Sequence, residues 1–188
     1  METTPFSNPA NDLALREYGA SAEDAIFAAK LDINGFASSF SHCEQFADYV
    51  AQFVTSNRHE SDRMNSMLAM CLNETLEMAY RYHGGAGALW IEARQIPAER
   101  NPEGGLALLT SIPVDPATMP AYEWCRGLLT RPDALESYRE LARHGFEDAE
   151  HKTGLIELVL VHGVALSIHA EASSDQVTIV IIMPDDKQ

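Results

Sequence analysis

The alternation of apolar and polar positions along the chain predicts five β-strands. The first shows an imperfect period of two, and the next two are short apolar runs separated by a segment rich in turn residues. The last two form a predicted hairpin across the turn Ser173-Ser174-Asp175. The predicted strands cover residues 24–33, 88–94, 106–112, 164–172 and 176–183.

A helical period of 3.6 residues dominates the segment between the first two strands. Ser41 and Glu44 have the S-x-x-E spacing of a capping box. Phe46, Tyr49, Val50 and Phe53 follow at helical spacing, so we expect a helix from Ser41 to about Ser56. A second and longer helix is predicted from about Glu60 to His83. Its apolar stripe consists of Met64, Met67, Leu68, Cys71, Thr75, Met78, Ala79 and Tyr82.

Capping residues and proline positions predict three more helices in the second half of the chain, near residues 116–130, 132–145 and 154–162. Strands grouped with helices between them suit an α+β fold, a two-layer α/β sandwich with a mixed, mostly antiparallel sheet and helices on one face. Residues 1–22 are expected to form a loosely held N-terminal arm outside the core, and residues 23–188 a single domain.

The net charge of the chain limits the classes of molecule that it is expected to bind. The 188 residues include 28 Asp and Glu against 13 Lys and Arg, a formal net charge of −15 at pH 7. Nucleic acids and anionic membranes require a basic surface, so neither is expected as the partner, and a basic protein surface fits better. The first 20 residues lack the basic and apolar regions of a secretion signal, and no run approaches the roughly 18 apolar residues of a membrane span. We therefore expect a soluble, cytoplasmic protein.

Familiar catalytic and metal-binding motifs are missing from the sequence. Cys43, Cys71 and Cys125 are far apart and are expected to be reduced thiols in the core. The histidines give no pair at ligand spacing, so no metal site is predicted. Neither a G-x-G-x-x-G loop, a Walker loop nor a G-x-S-x-G elbow is present.

Two segments carry a family resemblance. Residues 72–83 (LNETLEMAYRYH) resemble the ATP-binding helix of the GHKL superfamily, which includes histidine-kinase ATPase domains and anti-sigma-factor serine kinases. Thr153-Gly154-Leu155, at the start of an apolar helix, resembles that superfamily's phosphate segment. The resemblance implies a Bergerat-like sandwich, and the order of the strands in the sheet follows from it alone.

The resemblance also implies roles for individual residues. Glu74 occupies the position of the glutamate that polarises water or a substrate hydroxyl in active members. Asn73, Glu77, Thr153 and Gly154 are the other candidate nucleotide-binding residues. Each candidate on the helix also has a plainer interpretation, in which Glu74 and Asn73 are solvated and Glu77 forms a surface ion pair with Arg81.

Three departures from the family pattern indicate that catalysis has been lost. Met78 stands where an asparagine should hold magnesium, and a thioether is not a ligand for a hard cation. Asp115 follows the third strand without the glycines of the adenine motif. Ile156 and Glu157 replace a glycine in the phosphate segment, and the negative charge of Glu157 would repel phosphates.

The sequence therefore predicts a bacterial signalling regulator that resembles the anti-sigma-factor kinases but is not an enzyme. It would act by binding a protein partner, without a cofactor, and the resemblance favours a homodimer. One alternative is an active serine/threonine kinase that uses ATP and magnesium, with Glu74 as the base. Another is a small-molecule sensor that uses the remnant nucleotide cleft, which a cavity lined by Met70 or Met78 would favour.

Overall fold

An antiparallel sheet of five strands forms one layer of the molecule, and helices cover one of its faces. The computed structural model describes residue 15 and residues 19–56, 62–101, 104–144, 154–170 and 175–184. The strands are β1 (Ala25–Asp32), β2 (Ala88–Ile96), β3 (Gly105–Pro113), β4 (Ala165–Ala170) and β5 (Gln176–Met183). The helices are α1 (Ile33–Phe36), α2 (Ser41–Ser56), α3 (Asp62–Arg81), α4 (Met119–Leu129), α5 (Ala134–His144) and α6 (Gly154–Leu160).

The strand order across the sheet is β1-β2-β3-β5-β4, and every described pair is antiparallel. β2 and β3 are neighbours in sequence, as are β4 and β5, while α4, α5 and α6 lie between β3 and β4 along the chain. This arrangement confirms the predicted α+β sandwich. The sheet differs from the expectation only in having no parallel pair among the described strands.

The helix-covered face of the sheet holds the main core because the strands alternate. Leu106, Leu108 and Ile112 of β3 belong to this core, whereas Ala107 and Leu109 belong to the other face. Leu68 and Cys71 of α3 are fully buried in the same core, as the 3.6-residue stripe predicted, and Leu76 is buried there as well. α3 therefore packs along most of its length and holds its polar residues in a fixed position.

Two short elements differ from the prediction. The 3₁₀ turn Ala22–Asp24 and helix α1 were not predicted, and α1 begins because the Asp32 carboxylate accepts a hydrogen bond from the Gly35 N–H at 2.9 Å. The helix predicted from residue 116 begins instead at Met119. Residues 116–118 form a turn before it.

The middle of the second face of the sheet, on β2, β3 and β5, is also buried. Ala107 and Leu109 of β3 lie there in a cluster with Leu15 and Ala20. Most of the predicted arm, residues 1–22, lies outside the described part of the chain, so its loose attachment stays a prediction. The expectation that the arm contributes nothing to the core is wrong for Leu15 and Ala20, which are both buried.

A buried ion pair lies on this second face. Arg94 and Glu92 are two residues apart on β2 and point to the same side of the strand. Nε and Nη2 of Arg94 donate to the two carboxylate oxygens of Glu92 at 2.8 and 3.0 Å. The Arg94 side chain is 0% exposed, so the pair has been taken out of water.

The three cysteines are free and buried, as predicted. Burial raises the pKa of the Cys43 thiol to about 11 and that of the Cys71 thiol to about 12. These thiols are therefore protonated and unreactive at neutral pH. In the part of the chain that the structure describes, no helix is both long and apolar enough to cross a lipid bilayer.

Candidate functional site

The second half of α3 brings the predicted site residues together. Asn73, Glu77 and Arg81 follow one another at i, i+4 along one side of the helix. Asn73 Nδ2 donates to Glu77 Oε1 at 2.9 Å, and Arg81 Nη2 lies 3.5 Å from Glu77 Oε2. The predicted ion pair of Glu77 and Arg81 is thus present, and Glu77 is occupied from both sides by residues of its own helix.

Glu74 lies beside this row and reaches a different helix. Its carboxyl group rests against Gly154, the first residue of α6. A Cβ atom added to Gly154 would overlap Oε2 of Glu74 and lie 2.6 Å from its Cδ. The lack of a side chain at Gly154 is therefore what allows the Glu74 carboxyl to occupy this position, which lies 80 residues away in sequence.

The surroundings of Glu74 favour its protonated form. Burial, followed by the charges of Glu77 and Glu157, raises the pKa of Glu74 to about 7, and Arg81 opposes this shift. Glu157, on α6, also forms a hydrogen bond with the Tyr138 hydroxyl of α5. The first turn of α6 is thus in the field of several acidic groups.

Met78, the position where the resemblance requires a magnesium ligand, is part of the core. Its side chain is 3% exposed. The last turn of α3 is covered by α4, whose buried Tyr122 donates its hydroxyl proton towards the carbonyls of Tyr82 and Met78, at 3.2 and 3.4 Å. A thioether packed among apolar side chains offers magnesium no oxygen.

Asp115, at the position of the adenine-binding aspartate, is engaged by its own turn. Its Oδ1 accepts hydrogen bonds from the backbone N–H groups of Ala117 and Thr118, both at 2.9 Å. These bonds, led by that from Thr118, lower the pKa of the Asp115 carboxyl. The carboxylate stabilises the turn that leads into α4.

The structure therefore places Glu74 against Gly154 of α6 and joins Asn73 to Glu77 within α3, while Thr153 lies outside the described residues. The oxygen donors of these side chains are of the kind that binds magnesium, but their negative charge disfavours a nucleotide triphosphate. Carboxylates surround the start of α6, where the resemblance places phosphates, and like charges repel. Among the described residues, no three His, Cys, Asp or Glu side chains are grouped as metal ligands.

Aromatic residues of α2 and β1 form a second surface, which the hydrophobic periodicity of the sequence did not reveal. Tyr49 and Phe53 are 60% and 42% exposed, although their helical spacing with Phe46 and Val50 suggested a common apolar face. Only Val50 of that set is fully buried. The available signal was the width of the apolar face, since residues 46, 49 and 53 lie to one side of the stripe formed by the buried residues of α2, Cys43, Ala47, Val50, Ala51 and Val54.

No family model matches the chain, and no curated protein matches it in sequence. Its structure is similar to a chain in the crystal structure of the SiaB-SiaC complex from Pseudomonas aeruginosa, with a TM-score of 0.54 and 11% identity. The similarity covers 96% of this chain and 99% of that one. At this level of identity the likeness shows the fold, and the GHKL resemblance still depends on residues 72–83 and 153–155.

Proposed function

We propose that this protein is a signalling regulator that acts by binding a protein partner and does not use magnesium-ATP. The observation that carries the proposal is the contact between the Glu74 carboxyl and Gly154. In the GHKL interpretation, this is the place where backbone N–H groups would approach the phosphates of a nucleotide. A carboxyl group that fills the place, with Glu77 and Glu157 nearby, competes with phosphate for space and repels its charge.

Two further observations support the loss of catalysis. Met78 is buried and cannot supply the oxygen ligand that magnesium prefers. Asp115 accepts two backbone hydrogen bonds at Oδ1 within its own turn, which argues for a structural role in that turn and against adenine selection. Three separate positions therefore argue against magnesium-ATP chemistry in this chain.

The role of a protein partner is supported by the structural neighbour and by charge. The similar chain was crystallised in a complex of two proteins. The net charge of −15 disfavours nucleic acid and anionic membrane as alternatives and favours a partner with a basic surface. In this proposal, the protein is a regulator of the anti-sigma-factor type that has kept its protein-binding surfaces and lost its catalytic activity.

One observation favours a second candidate, an active serine/threonine kinase. The pKa of Glu74, raised to about 7, is suited to a general base that accepts a hydroxyl proton near neutral pH. This candidate needs the carboxyl to turn away from Gly154 so that phosphates can enter. The sensor alternative has less support, because Met78 packs in the core and the cavity lined by Met64 and Met67 lies at the opposite end of α3.

Nucleotide binding separates the two candidates. We would titrate the purified protein with ATP and ADP up to millimolar concentration, with and without magnesium, and follow its melting temperature. A ligand at 100 times its Kd stabilises the native state by about 2.7 kcal/mol, so binding would be plain. We expect no shift in either condition, both for the wild type and for Glu74→Gln.

A shift that requires magnesium and disappears in Glu74→Gln would favour the kinase and contradict the loss of catalysis. Partner binding needs its own measurement, namely cross-linking of the tagged protein in its native cells followed by mass spectrometry. We expect one protein to be recovered at near-stoichiometric yield. Recovery of the chain alone, at several expression levels, would contradict a partner-binding function.

A further inference from the structure

Four aromatic side chains form a continuous and partly exposed ridge at one edge of the sandwich. They are Phe27 of the edge strand β1 and Phe46, Tyr49 and Phe53 of α2. Ring centroids are 5.9 Å apart for Phe27 and Phe53, 6.3 Å for Phe27 and Phe46, and 6.4 Å for Tyr49 and Phe53. Contiguous exposed apolar surface of this kind is uncommon on a monomer and is typical of an interaction site.

A groove of about 480 Å³ runs beside this aromatic ridge. Leu31, Phe36, Phe46 and Tyr49 supply most of its apolar lining. Its walls are held in place, because His42 Nδ1 of α2 lies 2.8 Å from the Phe36 carbonyl and Asp32 caps α1. The groove is therefore largely preformed and large enough to accept bulky apolar side chains.

The charged groups around the groove and ridge are acidic. Asp32 lines the groove, and Asp48 is exposed on α2 next to Tyr49 and one helical turn after Gln45, which also lines the groove. α2 carries no Lys or Arg, and the one Lys of β1, Lys30, lies over the Trp90 ring of β2, 4.6 Å from its centroid, on the opposite face of the sheet. A binding segment thus meets aromatic rings bordered by negative charge.

We propose that the groove and the aromatic ridge bind a segment of a partner protein that inserts a bulky apolar side chain and carries Lys or Arg residues on either side of it. The apolar side chain would fill the space between Phe36, Phe46 and Tyr49, where aromatic side chains concentrate binding energy. The flanking basic residues would face Asp32 and Asp48. This proposal rests on the partner-binding function and assigns it a surface and a chemistry.

A second copy of this chain is a poorer occupant. In a two-fold dimer the same patch faces itself, so the acidic residues around one ridge would meet those around the other. The net charge of −15 on each copy adds to that repulsion. A basic segment of another protein avoids both the local and the overall charge repulsion.

The test uses the full chain and a library of random 12-residue peptides displayed on phage. We expect the selected peptides to share a Trp, Phe or Leu with Lys or Arg within two positions. The strongest would be synthesised with a fluorescent label and its Kd measured by anisotropy. Tyr49→Ser should weaken binding at least tenfold and Asp48→Lys at least fivefold, with the second loss smaller at high salt.

Matched controls test whether the effects are local. Glu123→Lys on α4 makes the same reversal of charge at an exposed position, and Val161→Ser removes an exposed apolar side chain that follows α6. Both should stay within twofold of the wild type. Melting temperatures of all variants would show that Tyr49→Ser and Asp48→Lys remain folded, as expected for exposed positions.

Three outcomes would overturn the inference: selection of acidic peptides, equal binding by Tyr49→Ser, or a concentration-dependent dimer that Tyr49→Ser abolishes. The last would assign the surface to a second copy. These results are distinct from failure of the proposed function. Magnesium-dependent nucleotide binding would contradict the loss of catalysis without changing the peptide result, and a cross-linked partner that tolerates Tyr49→Ser would keep partner binding while rejecting this surface.

Discussion

The Glu74 carboxyl is held where its charge is costly. Its pKa is about 7 in the folded protein against 4.5 for an ordinary glutamate, chiefly because of burial and then because of Glu77 and Glu157. Between these two values the folded chain binds more protons than the unfolded chain. The free energy of unfolding therefore falls as the pH rises through this window.

We expect this loss of stability at high pH to disappear in Glu74→Gln. Ionised Glu74 should destabilise the fold by about 1 to 3 kcal/mol at pH 8, allowing for partial screening by solvent. The variant should accordingly be more stable than the wild type at pH 8, and the difference should shrink towards pH 5. Urea denaturation at several pH values measures it.

Glu44→Gln, at an exposed position of α2, controls for the loss of one surface carboxylate. A difference between Glu74→Gln and the wild type that stays constant from pH 5 to pH 8 would show that Glu74 is ionised throughout. Glu74 would then keep an ionised carboxylate against Gly154 over this whole pH range.

At the scale of elements, α4 completes the C-terminal end of α3. The last carbonyls of a helix have no partner within the helix itself. Tyr122 reaches two carbonyls there, those of Tyr82 and Met78, from a fully buried position. One tyrosine thus fixes α4 relative to the helix that carries the candidate site.

Tyr122→Phe should lower the free energy of unfolding by about 1 kcal/mol, because the part-buried Tyr82 carbonyl loses its donor while the ring still fills the same space. The Met78 carbonyl keeps the Tyr82 N–H at 2.9 Å. Urea denaturation provides the measurement. Tyr49→Phe, which removes a hydroxyl from an exposed position, should change stability by less than about 0.5 kcal/mol. Equal effects in the two variants would show that the Tyr122 hydroxyl contributes nothing to the packing of α4.

The helices and strands were largely predictable from the sequence, because the burial of one face gives each of them a regular spacing of apolar residues. The stripe from Met64 to Ala79 lies in the core as predicted, and five strands were found within a few residues of their bounds. α1 was missed because it has only four residues, too few to show a helical period. The exposure of Tyr49 and Phe53 was missed because a residue's hydrophobicity does not reveal which neighbours cover it.

At the scale of the whole molecule, the second face of the sheet depends on the buried Glu92–Arg94 pair. Replacing Arg94 alone by Met leaves the Glu92 carboxylate buried without its partner and should cost about 3 kcal/mol or more. The double variant Glu92→Leu, Arg94→Met should recover most of that loss, since it removes both charges. Urea denaturation of the single and double variants tests this.

Arg131→Met is the matched control, because Arg131 pairs with Asp133 at 2.7 Å but both side chains are more than half exposed. Its effect should be less than about 1 kcal/mol. If Arg94→Met were equally mild, the second face of the sheet would have to be open to water in solution.

The candidate site was only partly predictable from the sequence. Asn73, Glu77 and Arg81 are separated by single helical turns, so their contacts follow from the spacing. The contact of Glu74 with Gly154 joins residues 80 positions apart, and only the family resemblance connected them. Helical spacing predicts neighbours within one helix, whereas the packing of α6 on α3 depends on the whole core.

The position of β5 has a consequence for how the chain is made. β5 begins more than 60 residues after β3 ends, yet it lies between β3 and β4 in the sheet. During synthesis, the edge of β3 therefore stays unpaired until β5 has left the ribosome. β4 cannot join the sheet before then, because it pairs with β5. A chain interrupted ahead of residue 176 would expose that edge and offer it to other chains for aggregation.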